Sequence, residues 1–177
     1  MTTSMDTASC VRRTDLVHLA AVASAADRSR RFVRQVCASW RIDQGPSEVA
    51  ELLASELVKN AITASGMTGL GAVSGLADAN LGRIGIQLLE FNDRLVIQVW
   101  DASPQLPKLM ALSPEVEHGR GLQLVEALSI HWGYYRARLS GKVVWCQLGL
   151  STDAAAQQAA DDAETLVAHP WEEHVGP

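Results

Sequence analysis

Residues Ser47–Ser65, with the sequence SEVAELLASELVKNAITAS, predict one long helix whose apolar face carries two polar side chains. At 100° per residue, Leu52 and Leu53 both fall within about 60° of Val49, and the three residues define an apolar stripe. Glu56 and Asn60 are four residues apart, and the same geometry places both in the middle of that stripe. An acid and an amide that face the core are costly unless a partner satisfies them. The pattern therefore indicates a polar site on this helix.

The composition is that of a single globular domain with a charged tail. The chain has 177 residues, of which 47% are hydrophobic, enough to build one sizeable core. Residues 151–177 contain six of the 20 acidic residues and none of the 15 Lys and Arg residues, so residues 1–150 are close to neutral. A body this balanced has no basic footprint, which argues against direct nucleic-acid binding. We expect a flexible N-terminus at 1–14, a domain at 15–150 and an acidic Ala-rich tail at 151–177.

The cysteines and the hydropathy pattern favour a cytoplasmic protein. Cys10, Cys37 and Cys146 are odd in number and lack metal-ligand spacing, which is typical of a reducing compartment. No apolar run approaches the ~18 residues of a membrane span. Arg12-Arg13 followed by an apolar stretch resembles a twin-arginine signal peptide, but charged and polar residues interrupt that stretch, so a first strand fits better.

The periodicity along the chain predicts alternating strands and helices. The predicted strands are Asp15–Val22, Arg83–Glu90, Arg94–Trp100, Trp132–Arg138 and Lys142–Leu148. The predicted helices are Ala25–Trp40, Ser47–Ser65 and Leu122–Ser129, with the first carrying arginines that form either a solvated face or a partner surface. Glycines and prolines predict loops at 66–82 and 104–114. This order predicts an α+β fold, a two-layer α/β sandwich with the helices on one face of a mostly antiparallel sheet.

Two polar positions suit the recognition of a nucleotide. The Asn60 amide oxygen is an acceptable ligand for a Mg²⁺ that phosphates and waters already hold, and the Glu56 carboxylate can accept a proton from an attacking hydroxyl. Asp101 follows a predicted strand, where a carboxylate can accept a hydrogen bond from an exocyclic amine. Each also has a simpler explanation: a water-satisfied polar pair on the helix, and an Asp that starts a turn.

A glycine motif precedes the last predicted helix. The sequence Gly119-Arg120-Gly121-Leu122 lets the backbone approach a ligand closely, and the helix N-terminus offers unpaired N–H groups to a phosphate. Arg120 can add a charge-assisted contact. The alternative is a flexible entry into the helix.

Taken in order, these motifs resemble a known family. SELVKNA, VWDASPQLP and GRGLQLVEALSIHWG, with GKVVWCQL closing the sheet, are similar to the GHKL superfamily of ATP-binding domains. The branch that they resemble most is the anti-sigma factor/serine-protein kinase branch of the actinobacterial single-domain type. The resemblance covers roughly Asp15–Leu148 and implies an ATP site between the helices and the sheet.

The resemblance also implies roles for individual residues. Asn60 would be the Mg²⁺ ligand, through the ATP phosphates, and Glu56 the catalytic base. Asp101 would recognise the adenine amino group, and residues 103–118 would form an ATP lid. The other cofactor-binding residues that it implies are Ser103, Pro104, Gly119, Arg120, Gly121 and Leu122.

The function that follows from the resemblance is an anti-sigma factor with serine-protein kinase activity on an anti-anti-sigma (STAS-type) antagonist. ATP and Mg²⁺ would be its cofactors, and the family further implies a homodimer. The alternative is a non-catalytic, nucleotide-responsive protein-binding module with a degenerate ATP site. It is favoured by Ala64, where the family often has His, and by Asp101-Ala102-Ser103-Pro104-Gln105, which lacks both glycines of the family's Asp-x-Gly-x-Gly box. A detached sensor histidine kinase domain and a vestigial ATP site are weaker alternatives.

Overall fold

The computed structural model describes residues 10–65, 82–107, 121–138 and 140–150. Within these ranges five strands form one sheet in the order β1-β2-β3-β5-β4, and every neighbouring pair is antiparallel. The strands are β1 (Arg13–Ala20), β2 (Arg83–Glu90), β3 (Arg94–Asp101), β4 (His131–Arg136) and β5 (Lys142–Gly149). The helices are α1 (Ala25–Trp40), α2 (Gln44–Ala64) and α3 (Gly121–Leu128). The predicted α+β sandwich and the predicted order of elements are confirmed.

The core lies between the three helices and one face of the sheet. Alternate residues of β2 and β3, such as Ile86 and its cross-strand partner Val99, are buried against apolar residues of the helices. On α1 the buried residues Val33, Val36 and Trp40 recur at the spacing of helical turns. Burial of these apolar side chains is what holds the two layers together.

Helix α2 is the central element of the helical layer. It packs against α1, α3 and the central strand β3. Its buried face includes three alanines, Ala50, Ala54 and Ala61, whose small side chains let neighbouring elements approach closely. The helix starts at Gln44, three residues before the predicted start at Ser47. Pro46 falls in the first turn, where its missing N–H costs no intrahelical hydrogen bond.

Two strand boundaries differ from the predicted ones for identifiable reasons. β1 starts at Arg13 rather than Asp15, because Arg13 forms an ion pair with Glu90 and the Arg12 N–H donates to the Glu90 carbonyl at 2.7 Å. Arg13 and Thr14 therefore belong to the sheet, not to a flexible terminus. β3 continues to Asp101, one residue beyond the predicted end, and this places Asp101 in the ladder opposite Lys142.

The other predicted boundaries agree to within two residues, and the larger differences are at the ends of β1, at Ala20 rather than Val22, and of β4, at Arg136 rather than Arg138. α1 and β2 have the predicted limits, and α3 is displaced by one residue from the predicted Leu122–Ser129. Residues 66–81 of the predicted loop at 66–82, most of the predicted loop at 104–114 and the tail at 151–177 lie outside the described residues. Among the described helices, none combines the length and the apolar character needed to cross a membrane.

Candidate functional site

Glu56 and Asn60 lie at the border of the buried face of α2, and the prediction that they occupy its middle is wrong. Leu57 and Ala61 are 1% exposed and mark the centre of that face. Glu56 and Asn60 each precede one of them by one residue, which is about 100° around the helix. Val49 and Leu52 of the predicted stripe are only half-buried. A border position suits a site better than a central one, because a ligand can reach it.

Glu56 lies against the N-terminus of α3. A methyl group added to Gly121 would come within 2.7 Å of Glu56 Oε2, so this glycine leaves the space that the carboxylate occupies. The Glu56 side chain is 12% exposed and pairs with Lys59, whose Nζ donates to Oε1 at 2.6 Å. The N–H groups and the dipole at a helix N-terminus also favour a negative charge there. The structure thus brings together Glu56 and Gly121, two residues 65 positions apart in the sequence.

Asn60, one turn after Glu56, carries a buried amide without a hydrogen-bond partner. Its Nδ2 is shielded from solvent, and the described residues provide it with no acceptor. A buried N–H that lacks a partner costs free energy. A ligand oxygen placed against this amide would remove that cost.

Asp101 is fully buried at the end of β3. Its Oδ1 accepts hydrogen bonds from the Ser103 N–H and from Lys142 Nζ, each at 2.9 Å. Its Oδ2 is buried and has no donor among the described residues. An ionised carboxylate oxygen without a donor is a strong acceptor in a medium that excludes water. Oδ2 is therefore a place where an N–H of a ligand would be bound.

Lys142 is the residue at this position that the sequence analysis did not find. It is 1% exposed, and it is the first residue of β5, directly opposite Asp101. Gly141 before it has φ of +79°, and an added Cβ would lie 1.9 Å from the Asp101 carbonyl oxygen, so only glycine fits there. The pairing of β3 with β5 was not predicted. A prediction of that pairing and its register would have placed Lys142 beside Asp101.

The remaining predicted site residues fall into three groups. Ser103 is buried and supports Asp101 through its N–H, whereas Pro104 is exposed. Gly121 lies against Glu56 as described, but Leu122 is a core residue, 5% exposed within the main apolar cluster. Gly119 and Arg120 lie outside the described residues. Of the predicted phosphate-binding motif, the described residues therefore place Gly121 beside Glu56.

The described residues contain no cluster of three or more His, Cys, Asp or Glu side chains that could hold a metal. A Mg²⁺ that arrives with nucleotide phosphates needs few protein ligands, since waters and phosphates complete its shell. The Asn60 amide oxygen is of the ligand type that such an ion accepts. Two unpartnered groups of the described residues suit ATP: Asp101 Oδ2 can accept from an N–H of the base, and Asn60 Nδ2 can donate to a phosphate oxygen.

No protein-family model matches the chain, and the search of curated proteins finds no match either.

Proposed function

We propose that this chain is a cytoplasmic ATP- and Mg²⁺-binding regulator of the anti-sigma factor/serine-protein kinase type. The observation that carries the proposal is the buried, unpartnered Oδ2 of Asp101. Asp101 is paired with the core residue Ile84, so it is on the face of the sheet that packs against α2, the helix that bears Glu56 and Asn60. A carboxylate oxygen of this kind suits the amino group of adenine. The protein partners of this chain would be a sigma factor and an anti-anti-sigma protein of the STAS type, and the chain would make no direct contact with nucleic acid or membrane.

In this function each residue of the site has a separate role. Asp101 binds the base, and Asn60 lies one helical turn from Glu56, where it can contribute one oxygen to the metal that accompanies the phosphates. Glu56 accepts the proton of the attacking serine hydroxyl as the serine oxygen bonds to the γ-phosphorus and ADP leaves. The helix α3 N-terminus stabilises negative charge beside Glu56. ATP supplies the phosphoryl group.

The first test is calorimetric titration of the full chain with ATP and Mg²⁺. We expect binding in the micromolar range for the wild type. Asp101→Asn removes the ionised acceptor while retaining the shape of the side chain, and it should weaken binding at least tenfold, since a hydrogen bond to a charged group contributes about 1.5–3 kcal/mol.

Asp93→Asn is the matched control, because Asp93 is an acid in the turn that precedes the opposite end of β3, ion-paired with Arg94. It should leave ATP binding unchanged. Absence of binding by the folded wild type at millimolar ATP would contradict the proposal.

A non-catalytic, nucleotide-responsive binding module is the second candidate function. The observation that favours it is the buried ion pair of Asp101 with Lys142, which gives Asp101 a structural partner. The two functions differ in one measurable respect. Only the kinase transfers ³²P from γ-labelled ATP to a serine of an anti-anti-sigma protein, whereas the module binds ATP and never forms a phosphoprotein.

A further inference from the structure

Lys142 is a fully buried lysine that adenine recognition by Asp101 alone does not require. Lysine is almost never fully buried unless it is paired. Its Nζ carries three protons, and Asp101 Oδ1 accepts one of them at 2.9 Å. The described part of the chain offers this ammonium group no second acceptor. Donor capacity therefore remains on Lys142, next to the unpartnered acceptor Oδ2 of Asp101.

The two groups have a fixed relative position. Asp101 and Lys142 are directly paired residues of adjacent antiparallel strands, so their side chains project from the same face of the sheet. The turn before Lys142 is held by the Trp100 indole N–H, which donates to the Ser140 carbonyl at 3.1 Å. The pair therefore presents a hydrogen-bond acceptor and a charged donor side by side.

The pair lies close to the rim of the molecule, although its own atoms are buried. Ala102, directly after Asp101, is exposed, and so is Ser140, two residues before Lys142. Arg136, the next residue in the row across β4, is exposed as well. A planar group that entered from this rim would meet both members of the pair.

We propose that Lys142 is a second base-recognising residue, which donates a hydrogen bond to the ring nitrogen N1 of adenine while Asp101 Oδ2 accepts one from the N6 amino group. This inference rests on the proposed ATP binding. The Watson–Crick edge of adenine carries a donor, N6–H, next to an acceptor, N1, and this order is complementary to the acceptor and donor of the pair. Hypoxanthine and guanine present the reverse order, an acceptor at O6 and a donor at N1.

The competing explanation is that Lys142 only neutralises Asp101. A buried carboxylate requires a counter-charge, and a lysine that does nothing else would still occupy this position. The two explanations differ in what the base contributes. Only a direct contact makes affinity depend on the atom at position 1 of the purine ring.

The test compares ATP with 1-deaza-ATP, in which a C–H group replaces N1 and the N6 amino group is retained. Calorimetric titration of the full-length wild type should show roughly tenfold weaker binding of 1-deaza-ATP, the effect of losing one charge-assisted hydrogen bond. Equal affinity of the wild type for the two nucleotides would overturn the inference and leave ATP binding itself intact.

A substitution at Lys142 shows whether this residue is the source of the discrimination. Lys142→Met retains Asp101 Oδ2 as the acceptor for N6–H but removes the Lys142 donor for N1, and it should bind ATP and 1-deaza-ATP equally. Because this variant leaves a buried carboxylate without a counter-charge and is expected to be less stable, the titration is carried out at a temperature at which near-UV circular dichroism shows the variant to be folded.

Arg136→Met is the matched control, because it removes the neighbouring cation in the same row and should retain the discrimination. Discrimination that persists in folded Lys142→Met would contradict the inference. A wild type that binds neither nucleotide would instead contradict the proposed function, and the inference would fall with it.

Discussion

Glu56 contacts one residue of its own helix, α2, and one residue of α3, and these contacts fix the position of its carboxylate. Lys59 pairs with one carboxylate oxygen from the same helix, and the other oxygen lies against Gly121 at the start of α3. The spacing of three residues between Glu56 and Lys59 is the spacing of a helical ion pair, so this partner was accessible from the sequence. The contact with Gly121 depends on how α2 packs on α3, which a local pattern does not contain.

Glu56→Gln is the substitution that tests its role as the base. The amide retains the volume of the side chain but accepts a proton poorly. We expect ATP affinity to stay near that of the wild type, while transfer of the γ-phosphoryl group slows by roughly a hundredfold or more, the usual contribution of a general base. The measurement is the rate of phosphate release from ATP, with water as the acceptor, alongside calorimetric ATP binding.

Glu51→Gln is a suitable control on the same helix, because Glu51 pairs with Arg34 of α1 and not with α3. It should leave the phosphate-release rate unchanged. If Glu56→Gln and the wild type release phosphate at the same rate, Glu56 is not the base.

The individual site residues show how far local sequence patterns extend. Asp101 was singled out because it ends a strand, and the structure gives it a buried, unpartnered oxygen. Lys142 was not, because it is 41 positions from Asp101 in the sequence and its place beside Asp101 follows from the pairing of β3 with β5. The apolar stripe on α2 was misplaced for a similar reason. Leu52 is half-buried, and the true buried face is decided by packing against α1 and β3.

At the scale of the elements, the predicted limits agree with the structure where a turn or a helix end is marked in the sequence. The β2–β3 hairpin has its turn at Asn92-Asp93, closed by the Phe91 N–H, which donates to the Arg94 carbonyl at 2.9 Å. α1 has the predicted limits because its apolar periodicity ends at Trp40, where the chain reverses through Arg41. The order of strands in the sheet was not predicted, since it depends on contacts distant in sequence.

The end of α1 gives a prediction about stability. Arg41 has φ of 59° and ψ of 38°, a left-handed conformation, and its N–H donates to the Ala38 carbonyl at 3.2 Å. Left-handed backbone costs a residue with a Cβ roughly 1–2 kcal/mol, and glycine avoids that cost. Arg41→Gly should therefore raise the free energy of unfolding by about 1 kcal/mol, after allowance for the greater freedom of glycine in the unfolded chain.

Urea denaturation is the measurement for this change. Arg41→Ala is the control, because it removes the same charged side chain but keeps the Cβ, and it should give no comparable gain. A glycine variant that is no more stable than the alanine variant would mean that the backbone at Arg41 is not strained.

For the whole molecule, the core determines how stability depends on alkaline pH. Cys146 is fully buried in β5 opposite Ile97, and burial raises the pKa of its thiol to about 12. Cys37 of α1 is buried in the same core, and burial likewise raises its pKa above the ordinary value. In the unfolded chain both thiols ionise near pH 9. Between pH 9 and 12 the native state therefore binds more protons than the unfolded state, and stability falls as the pH rises.

Cys146→Ala should make that fall less steep. One thiol that stays protonated in the native state contributes a slope of about 1.4 kcal/mol per pH unit above pH 9, and the substitution removes this contribution. The small cavity that alanine leaves lowers stability at every pH, so it shifts the curve without changing its slope. The measurement is the free energy of unfolding in urea at several pH values from 8 to 10.5. Cys10→Ala, at an exposed position, serves as the control. Parallel curves for the wild type and Cys146→Ala would show that this buried thiol does not link folding to pH.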